Sequence, residues 1–162
     1  MADVKRPVES QVQRLIDGRE VTNALVRYFR GVDRDDDELA FRPSMGDAIR
    51  HHGTTTVSVP EQSKLAQQAR ISTSSMHCLT NVVIHVDHGT ALDESYVLRL
   101  NYNEPESADL QAEPAGEATV ELFGGRYFDR FERRDGEWKI AERAVVLDLS
   151  LRRAGEGRAA LG

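Results

Sequence analysis

The stretch GGRYFDRFERRDGEWKIAERAVVLDL, residues 124–149, decides the fold. Two runs with strand-like alternation flank Asp135-Gly136, and an Asp-Gly pair between such runs is a strong signal for a β-hairpin. On the second strand, alternation predicts one face with Ala141, Arg143, Val145, Leu147 and Leu149, and an opposite face with Trp138, Ile140, Ala144 and Val146. A guanidinium among apolar side chains is costly unless an anion or a polar cavity receives it. Arg143 is therefore expected to pair with a buried carboxylate, such as Glu121 or Asp129, or to hold an oxyanion that develops on a substrate.

Further strand-like stretches extend this hairpin into a sheet. Residues 74–87 and 91–103 alternate as strands around a turn at His88-Gly89, and residues 118–134 precede the hairpin turn. Gly124-Gly125 within that last strand predicts a bulge, a bend or a close approach of another backbone. One predicted face of the 74–87 strand carries His77, Leu79, Asn81, Val83 and His85. Residues 104–116 are polar and rich in turn formers, so we expect a mobile loop there.

The first part of the chain has helical spacing. Residues 9–33 repeat apolar side chains at three- and four-residue steps, with Gly18 as a predicted break between two helices. The acidic run 33–38 predicts a turn whose aspartates cap a short helix near residues 39–41, and a short strand over 47–53 precedes a helix that opens at Pro60. Helices followed by long antiparallel strands predict an α+β fold, in which a curved sheet wraps round the N-terminal helices as a cone with an internal pocket. The predicted boundaries are a flexible lead (1–8), one domain (9–149) and a C-terminal tail (150–162).

Composition excludes several classes of function. The chain has 162 residues, a formal charge of −6 and a pI near 5.4, which argues against a nucleic-acid partner. No run is apolar enough for a signal peptide or a membrane span, so we expect a cytoplasmic protein. Cys78 is the single cysteine, which rules out an internal disulfide and a cysteine metal cage. Histidine spacing matches no metal-ligand pattern and no glycine-rich phosphate loop is present, so neither metal nor cofactor is predicted.

His77 and Asp33 are the strongest candidates for chemistry. An imidazole acts as a base near neutral pH when a carboxylate holds its other nitrogen and stabilises the cation that forms. Asp33 ends an apolar helix face and is the best carboxylate for that role. The alternative interpretations are that His77 is a core histidine whose hydrogen bonds are all made and that Asp33 is a turn aspartate. Tyr28 is either a core aromatic or a proton donor inside a pocket.

Three blocks of sequence resemble a known family. They are YFRGVDRDDDEL (28–39), SSMHCLTNVVIHV (74–86) and GGRYFDRFERRDGEWKIAER (124–143), and over roughly residues 10–149 the chain resembles the SnoaL-like branch of the nuclear-transport-factor-2-like superfamily. The resemblance implies a cone of one curved mixed sheet with about three helices, often assembled as a homotrimer or homodimer. It also implies a catalytic Asp–His dyad at Asp33 and His77, with Arg143 and Tyr28 at further functional positions. A second histidine found in some relatives falls near Tyr96.

Residues and resemblance together predict a cofactor-independent lyase that carries out a dehydratase-type elimination on a hydrophobic cyclic or aromatic molecule. The predicted catalytic residues are Asp33, His77, Tyr28 and Arg143. The predicted substrate-binding residues are Leu79, Asn81, Tyr96 and Tyr127. Isomerisation, polyketide ring closure and C–C cleavage are alternatives with the same site. A non-catalytic binding or small-subunit module is an alternative of another class, and it predicts that Asp33 and His77 are out of hydrogen-bond reach.

Overall fold

The computed structural model describes residues 7–68, 74–103 and 118–155, and the elements below refer to those ranges. The helices are α1 (Val8–Val32), α2 (Asp37–Phe41) and α3 (Val59–Gln68). The strands are β1 (Ser44–His52), β2 (Thr55–Ser58), β3 (Ser74–Asp87), β4 (Thr90–Asn103), β5 (Ala118–Arg134) and β6 (Glu137–Gly155). The predicted loop 104–116 lies outside the described residues, as do most of the predicted lead and residues 156–162 of the predicted tail. Within the described ranges, no helix has the length and apolar character that crossing a membrane requires.

Helix α1 is one continuous helix, so the predicted break at Gly18 is wrong. A glycine inside a helix costs only about 1 kcal/mol, and α1 buries a full stripe of apolar side chains further along. The buried stripe consists of Val21, Ala24, Leu25, Tyr28 and Phe29, spaced at three and four residues. The first turns of α1 do not continue this buried stripe. Their spacing predicts that Val12, Leu15 and Ile16 are buried, but all three are exposed.

The end of α1 is held close to α2. Asp36 caps α2 by accepting a hydrogen bond from the Leu39 backbone N–H at 2.9 Å, which confirms the predicted aspartate cap of a short helix. Gly31 in the last turn of α1 packs directly on the backbone of Ala40, where a Cβ would overlap it. Two residues after Gly31, the chain leaves the helix at Asp33.

The strands form one curved sheet in the order β2-β1-β6-β5-β4-β3, and together with the helices it gives the predicted α+β fold. The pairs from β6 to β3 are antiparallel, and the predicted turns at 88–89 and 135–136 are confirmed. Asp135 and Gly136 both have positive φ (52° and 79°), as a type I′ hairpin turn requires. Strand β1 runs parallel to β6, and β2, which the sequence did not predict, pairs with β1 at the edge. Strand β6 continues past the predicted end at Leu149 to Gly155.

Three bulges in the described antiparallel part of the sheet change which side chains share a face. One lies between Thr80 and Val83, where Asn81 has a φ of 48°. A second lies opposite Gly124-Gly125, where β6 carries the extra residue. The backbone of β6 also comes very close there, since a Cβ at Gly125 would lie 2.5 Å from the Val146 carbonyl oxygen. That observation confirms the prediction for the glycine pair. The third lies opposite Arg130-Phe131, on the β6 side of the pair.

The bulges overturn two predicted faces. Because Ala141 is an extra residue, Ile140 and Arg143 lie on the same face, whereas strict alternation places them on opposite faces. After Asn81, the residues that pack towards α1 become Val82, Ile84 and Val86, so Val83 and His85 do not share the face of His77. A one-residue insertion reverses a strand's alternation, and the sequence pattern alone carries no mark of it.

The two faces of the sheet have different surroundings. The concave face packs against α1. The apolar core between them consists of Val21 and Leu25 from α1 and Phe131, Trp138 and Ile140 from the sheet. The convex face carries exposed apolar side chains, which we name the convex patch: Met76, Val83, Leu92, Tyr96, Leu98, Leu100, Phe128, Val146, Leu149 and Leu151.

Candidate active site

Asp33 and His77 are hydrogen-bonded to each other. The Asp33 Oδ1 atom lies 2.5 Å from His77 Nδ1, and it also accepts a bond from the Ser75 hydroxyl at 3.0 Å. Asp33 Oδ2 accepts the His77 backbone N–H at 2.9 Å. Three donors from β3 therefore fix a carboxylate that sits at the end of α1. Because Asp33 can only accept as a carboxylate, the proton of the pair is placed on Nδ1, which leaves Nε2 with a free lone pair.

The surroundings of His77 favour the neutral imidazole. The His77 side chain is 5% exposed and stacks on Phe29, with 5.3 Å between ring centroids. Burial lowers the pKa of His77 below its ordinary value near 6.5, and the nearby Arg99 and Arg143 act in the same direction, while the bond to Asp33 opposes them. A neutral imidazole with a fixed tautomer is the state that a general base needs.

An open pocket of about 630 Å³ lies between α1 and β3 and reaches the Asp33–His77 pair. Its lining includes Phe29, Asp33, Ser75, His77 and Leu79. Leu79, a predicted substrate-binding residue, thus lies beside the pair. The lining mixes apolar side chains with the Asp33–His77 pair and with two arginines, Arg30 and Arg34, and such a mixture is typical of a small-molecule site.

Arg143 pairs with Asp129, one of the two carboxylates predicted for it. The Arg143 Nε and Nη2 atoms donate to Asp129 at 2.7 and 2.6 Å, and both side chains are fully buried. Arg143 Nη1 has no hydrogen-bond partner among the described residues. A bidentate ion pair of this kind holds the guanidinium plane rigidly, so the unpaired Nη1 group has a fixed position.

Tyr28 and Tyr127 surround that guanidinium. The Arg143 Cζ atom lies 4.1 Å from the Tyr28 ring centroid and 4.9 Å from that of Tyr127. Both rings pack edge-on against Phe29, at 5.1 and 5.3 Å. Tyr28 is 6% exposed, and burial raises the pKa of Tyr127 to about 12. Phe29 therefore contacts His77 on one side and the arginine–tyrosine group on the other.

The structure adds Arg50, which the sequence analysis missed. Arg50 is 0% exposed, lies directly opposite Arg143 in the β1–β6 register and has its Cζ atom 4.8 Å from the Tyr28 ring centroid. Its Nη2 atom donates to the Ser44 hydroxyl at 2.5 Å, while Nε and Nη1 lack partners among the described residues. The placement of Arg50 depends on a parallel pairing with β6, which leaves no local signal.

Asp93 is a second missed residue. It is 3% exposed on the concave face of β4, where the Ser95 hydroxyl donates to its Oδ2 atom at 3.0 Å. Burial, together with the charge of Asp129, raises the pKa of Asp93 to about 7. The sequence did carry a signal for Asp93. It lies on the same face of β4 as Ala91, Ser95 and Val97, which are all buried, and a carboxylate in such a row is unusual.

Two predicted substrate-binding residues do not join the site. Tyr96 lies on the convex face and is 43% exposed, opposite Arg126 of β5. Asn81 is exposed at the bulge of β3, so the prediction that it accompanies His77 along one regular face is wrong. The structure brings together Asp33, His77, Leu79, Tyr28, Tyr127 and Arg143, with Phe29 at their centre. In the part of the chain that the structure describes, no group of three or more His, Cys, Asp or Glu side chains is arranged to hold a metal ion.

The sequence matches the family model described as the SnoaL-like domain over residues 13–144. The chain belongs to the SnoaL-like family. No curated protein sequence matches it significantly. The SnoaL-like assignment agrees with the resemblance that the three sequence blocks indicate.

Solved structures share the fold of this SnoaL-like chain. A hexachlorocyclohexane dehydrochlorinase, LinA type 2, superposes with a TM-score of 0.75 at 20% identity, covering 94% of this chain and 99% of that one. A putative scytalone dehydratase from Novosphingobium aromaticivorans gives 0.72 at 18% identity, with 92% and 99% covered. A cystatin-like protein of unknown function from Nostoc punctiforme gives 0.63 at 16% identity, with 82% and 92% covered. At these identities the comparisons establish the fold.

Proposed function

We propose that this SnoaL-like protein is a cofactor-independent lyase that removes water from a small hydrophobic cyclic or aromatic molecule. The observation that carries the proposal is the 2.5 Å contact between Asp33 Oδ1 and His77 Nδ1 beside an open pocket. Two structural neighbours support the reaction class, since one is a dehydrochlorinase and the other a putative dehydratase. Both names describe an elimination.

In the proposed reaction, His77 Nε2 takes a proton from a substrate carbon. The electron pair of that C–H bond forms the new double bond, and the hydroxyl on the adjacent carbon leaves with a proton from Tyr28 as water. Asp33 holds the ring and stabilises the imidazolium, while the unpaired Nη1 of Arg143 stabilises negative charge as it develops. The proton on His77 then returns to Tyr28 through solvent, so the protein ends unchanged.

The same groups serve double-bond isomerisation, ring closure or C–C cleavage on a different substrate. A non-catalytic binding module is less well supported, because it predicts that Asp33 and His77 are apart, and they lie in direct hydrogen-bond contact. The mass of the product separates the reactions: water loss lowers it by about 18 mass units, and isomerisation leaves it unchanged.

The test compares two histidines of the same strand. His77→Ala is expected to lower kcat by about a hundred- to ten-thousand-fold on hydroxylated cyclic or aromatic substrates, since it removes the base. His85→Ala is the matched control, because His85 is exposed on the convex side of β3 and is expected to leave kcat unchanged. Turnover and product mass are measured by liquid chromatography with mass spectrometry. Equal rates for wild type and His77→Ala would show that the proposed base is wrong.

We also propose that the protein assembles as a homodimer or homotrimer through the convex patch. Exposed apolar patches of this extent on a soluble domain mark association surfaces. Four of the charges on that face are paired within the chain, Arg126 with Asp148 and Arg130 with Glu142. A partner therefore needs to supply apolar surface rather than opposite charge, and an identical face does so. The cytoplasmic location stays a prediction.

A further inference from the structure

Arg50 is a buried cation that the proposed elimination does not use. Its side chain has no exposed surface, and among the described residues its hydrogen-bond partner is the Ser44 hydroxyl. Among the described residues, no partner is present for Nε or for Nη1, and no carboxylate forms an ion pair with Arg50. A guanidinium has five N–H donors, so most of those on Arg50 have no acceptor within the described part of the chain.

Arg143 presents a second unpaired edge at the same place. Arg50 and Arg143 face each other across the β1–β6 pair, and their Cζ atoms lie 4.8 and 4.1 Å from the one Tyr28 ring. Asp129 occupies two nitrogens of Arg143 and leaves Nη1 free. Among the described residues, Asp129 forms an ion pair with Arg143 and not with Arg50, so the Arg50 guanidinium has no carboxylate partner of its own.

The two guanidinium groups lie in a poorly solvated setting. Burial lowers the pKa of Arg50, and the charge of Arg143 acts in the same direction. Unpaired N–H groups and an uncompensated cation are both unfavourable away from water. A bound anion relieves both costs, and the planar donor edges of two arginines suit a carboxylate better than a spherical ion.

We propose that Arg50 and Arg143 bind a carboxylate of the substrate, so that the substrate class is a carboxylic acid with an aromatic or alicyclic body. Phe29 links this subsite to the dyad, because its ring centroid lies 5.3 Å from that of His77 and 5.6 Å from the Arg143 Cζ atom. His52, two residues after Arg50 on the same face of β1, is exposed. The inference rests on the proposed function for its substrate body, but it does not require His77 to act as a base.

The first measurement compares 2-naphthoate with its neutral counterpart 2-naphthamide by isothermal titration calorimetry at pH 7.5. The wild-type protein is expected to bind the acid at least about tenfold more tightly than the amide, as charge-assisted hydrogen bonds allow. His77→Ala is expected to keep this preference, which separates the subsite from the chemistry of the dyad. Equal affinities of the wild-type protein for the two probes would overturn the proposal without any variant being needed.

Variants then assign the preference to a residue. Arg50→Met is expected to reduce the preference to less than about threefold while leaving the affinity for the amide unchanged. Arg130→Met, on the convex face, is the matched control and is expected to keep it. Arg99 is the other concave arginine near His77, donating to Asn101 at 2.7 Å. Loss of the preference in Arg99→Met together with its retention in Arg50→Met would overturn the assignment.

A crystal structure of the wild-type protein with 2-naphthoate gives a readout that is independent of affinity and of variant folding. The carboxylate is expected within hydrogen-bond distance of Arg50 Nη1 or Nε. A naphthoate whose carboxylate contacts neither Arg50 nor Arg143 contradicts the proposal, even if the acid binds more tightly than the amide.

Discussion

The two faces of the sheet reverse the usual distribution of side chains. The concave face buries Arg50, Arg143, Asp93 and Asp129, whereas the convex face exposes the leucines and aromatics of the convex patch. Burying charge is unfavourable unless each group is paired, and exposing apolar surface is unfavourable unless a partner covers it. The concave face is therefore suited to binding and chemistry, and the convex face to association. Each prediction below alters one face and uses the other, or a distant helix, as its control.

The buried ion pair should be the most sensitive point. Asp129→Leu leaves Arg143 buried without its carboxylate, and we expect a loss of about 3–5 kcal/mol in the free energy of unfolding. The convex counterpart, Asp148→Leu, breaks an exposed pair with Arg126 and should leave that free energy nearly unchanged. Urea unfolding at fixed protein concentration measures both. If Asp129→Leu changes the free energy of unfolding only slightly, water reaches Arg143 and the concave face does not exclude solvent.

Asp93 should make stability depend on pH. Its pKa is raised to about 7 in the folded protein from 3.8, so the stability that protonated Asp93 contributes is present at low pH and is lost as pH rises through 7. Between pH 5 and pH 7.5, wild type should lose as much as about 2 kcal/mol relative to Asp93→Asn. Asp148→Asn is the control, since the bond from Arg126 holds the pKa of Asp148 below 3.8, outside this window. Parallel stability profiles for wild type and Asp93→Asn would contradict the prediction.

The convex patch should control assembly rather than folding. Leu98→Glu places a charge in the middle of the patch and is expected to weaken self-association at least about tenfold, with little change in secondary structure. Leu15→Glu alters an exposed leucine of α1 outside the patch and should leave the association state as it is in the wild type. Sedimentation velocity over a range of concentrations measures the change. A wild-type protein that sediments as a monomer at high concentration would remove the basis for the assembly proposal.

Much of the fold was predictable because local patterns specify it. The Asp135-Gly136 turn, the long alternating strands and the Asp36 cap each depend on residues close together in sequence, and the structure confirms them. Asp33 and His77 were recognisable as an acid–base pair from their residue types and from the family resemblance. Their hydrogen bond agrees with that expectation, although their catalytic role stays a proposal.

The errors arose where non-local structure overrides local pattern. The bulges at Asn81 and Ala141 each shift the alternation by one residue, which moved Val83 and Ile140 to faces that the sequence did not predict. Arg50 was missed because its burial comes from the parallel pairing of β1 with β6, two strands that are far apart in the chain. Tyr96 was misplaced for another reason, because it was assigned by analogy although its position in the regular alternation of β4 already indicated the convex face.

Gly31 imposes a spacing constraint where α1 meets α2, as Gly125 does within the sheet. Because Gly31 has no side chain, the last turn of α1 lies against the backbone of Ala40 in α2, and the chain leaves α1 at Asp33 two residues later. We therefore expect substitutions in α2 to shift the Asp33 carboxylate relative to the His77 imidazole from outside the pocket. An engineer who wants to retune the dyad without changing any group that touches a substrate should vary the residues of α2 that face Gly31 and leave the glycine in place.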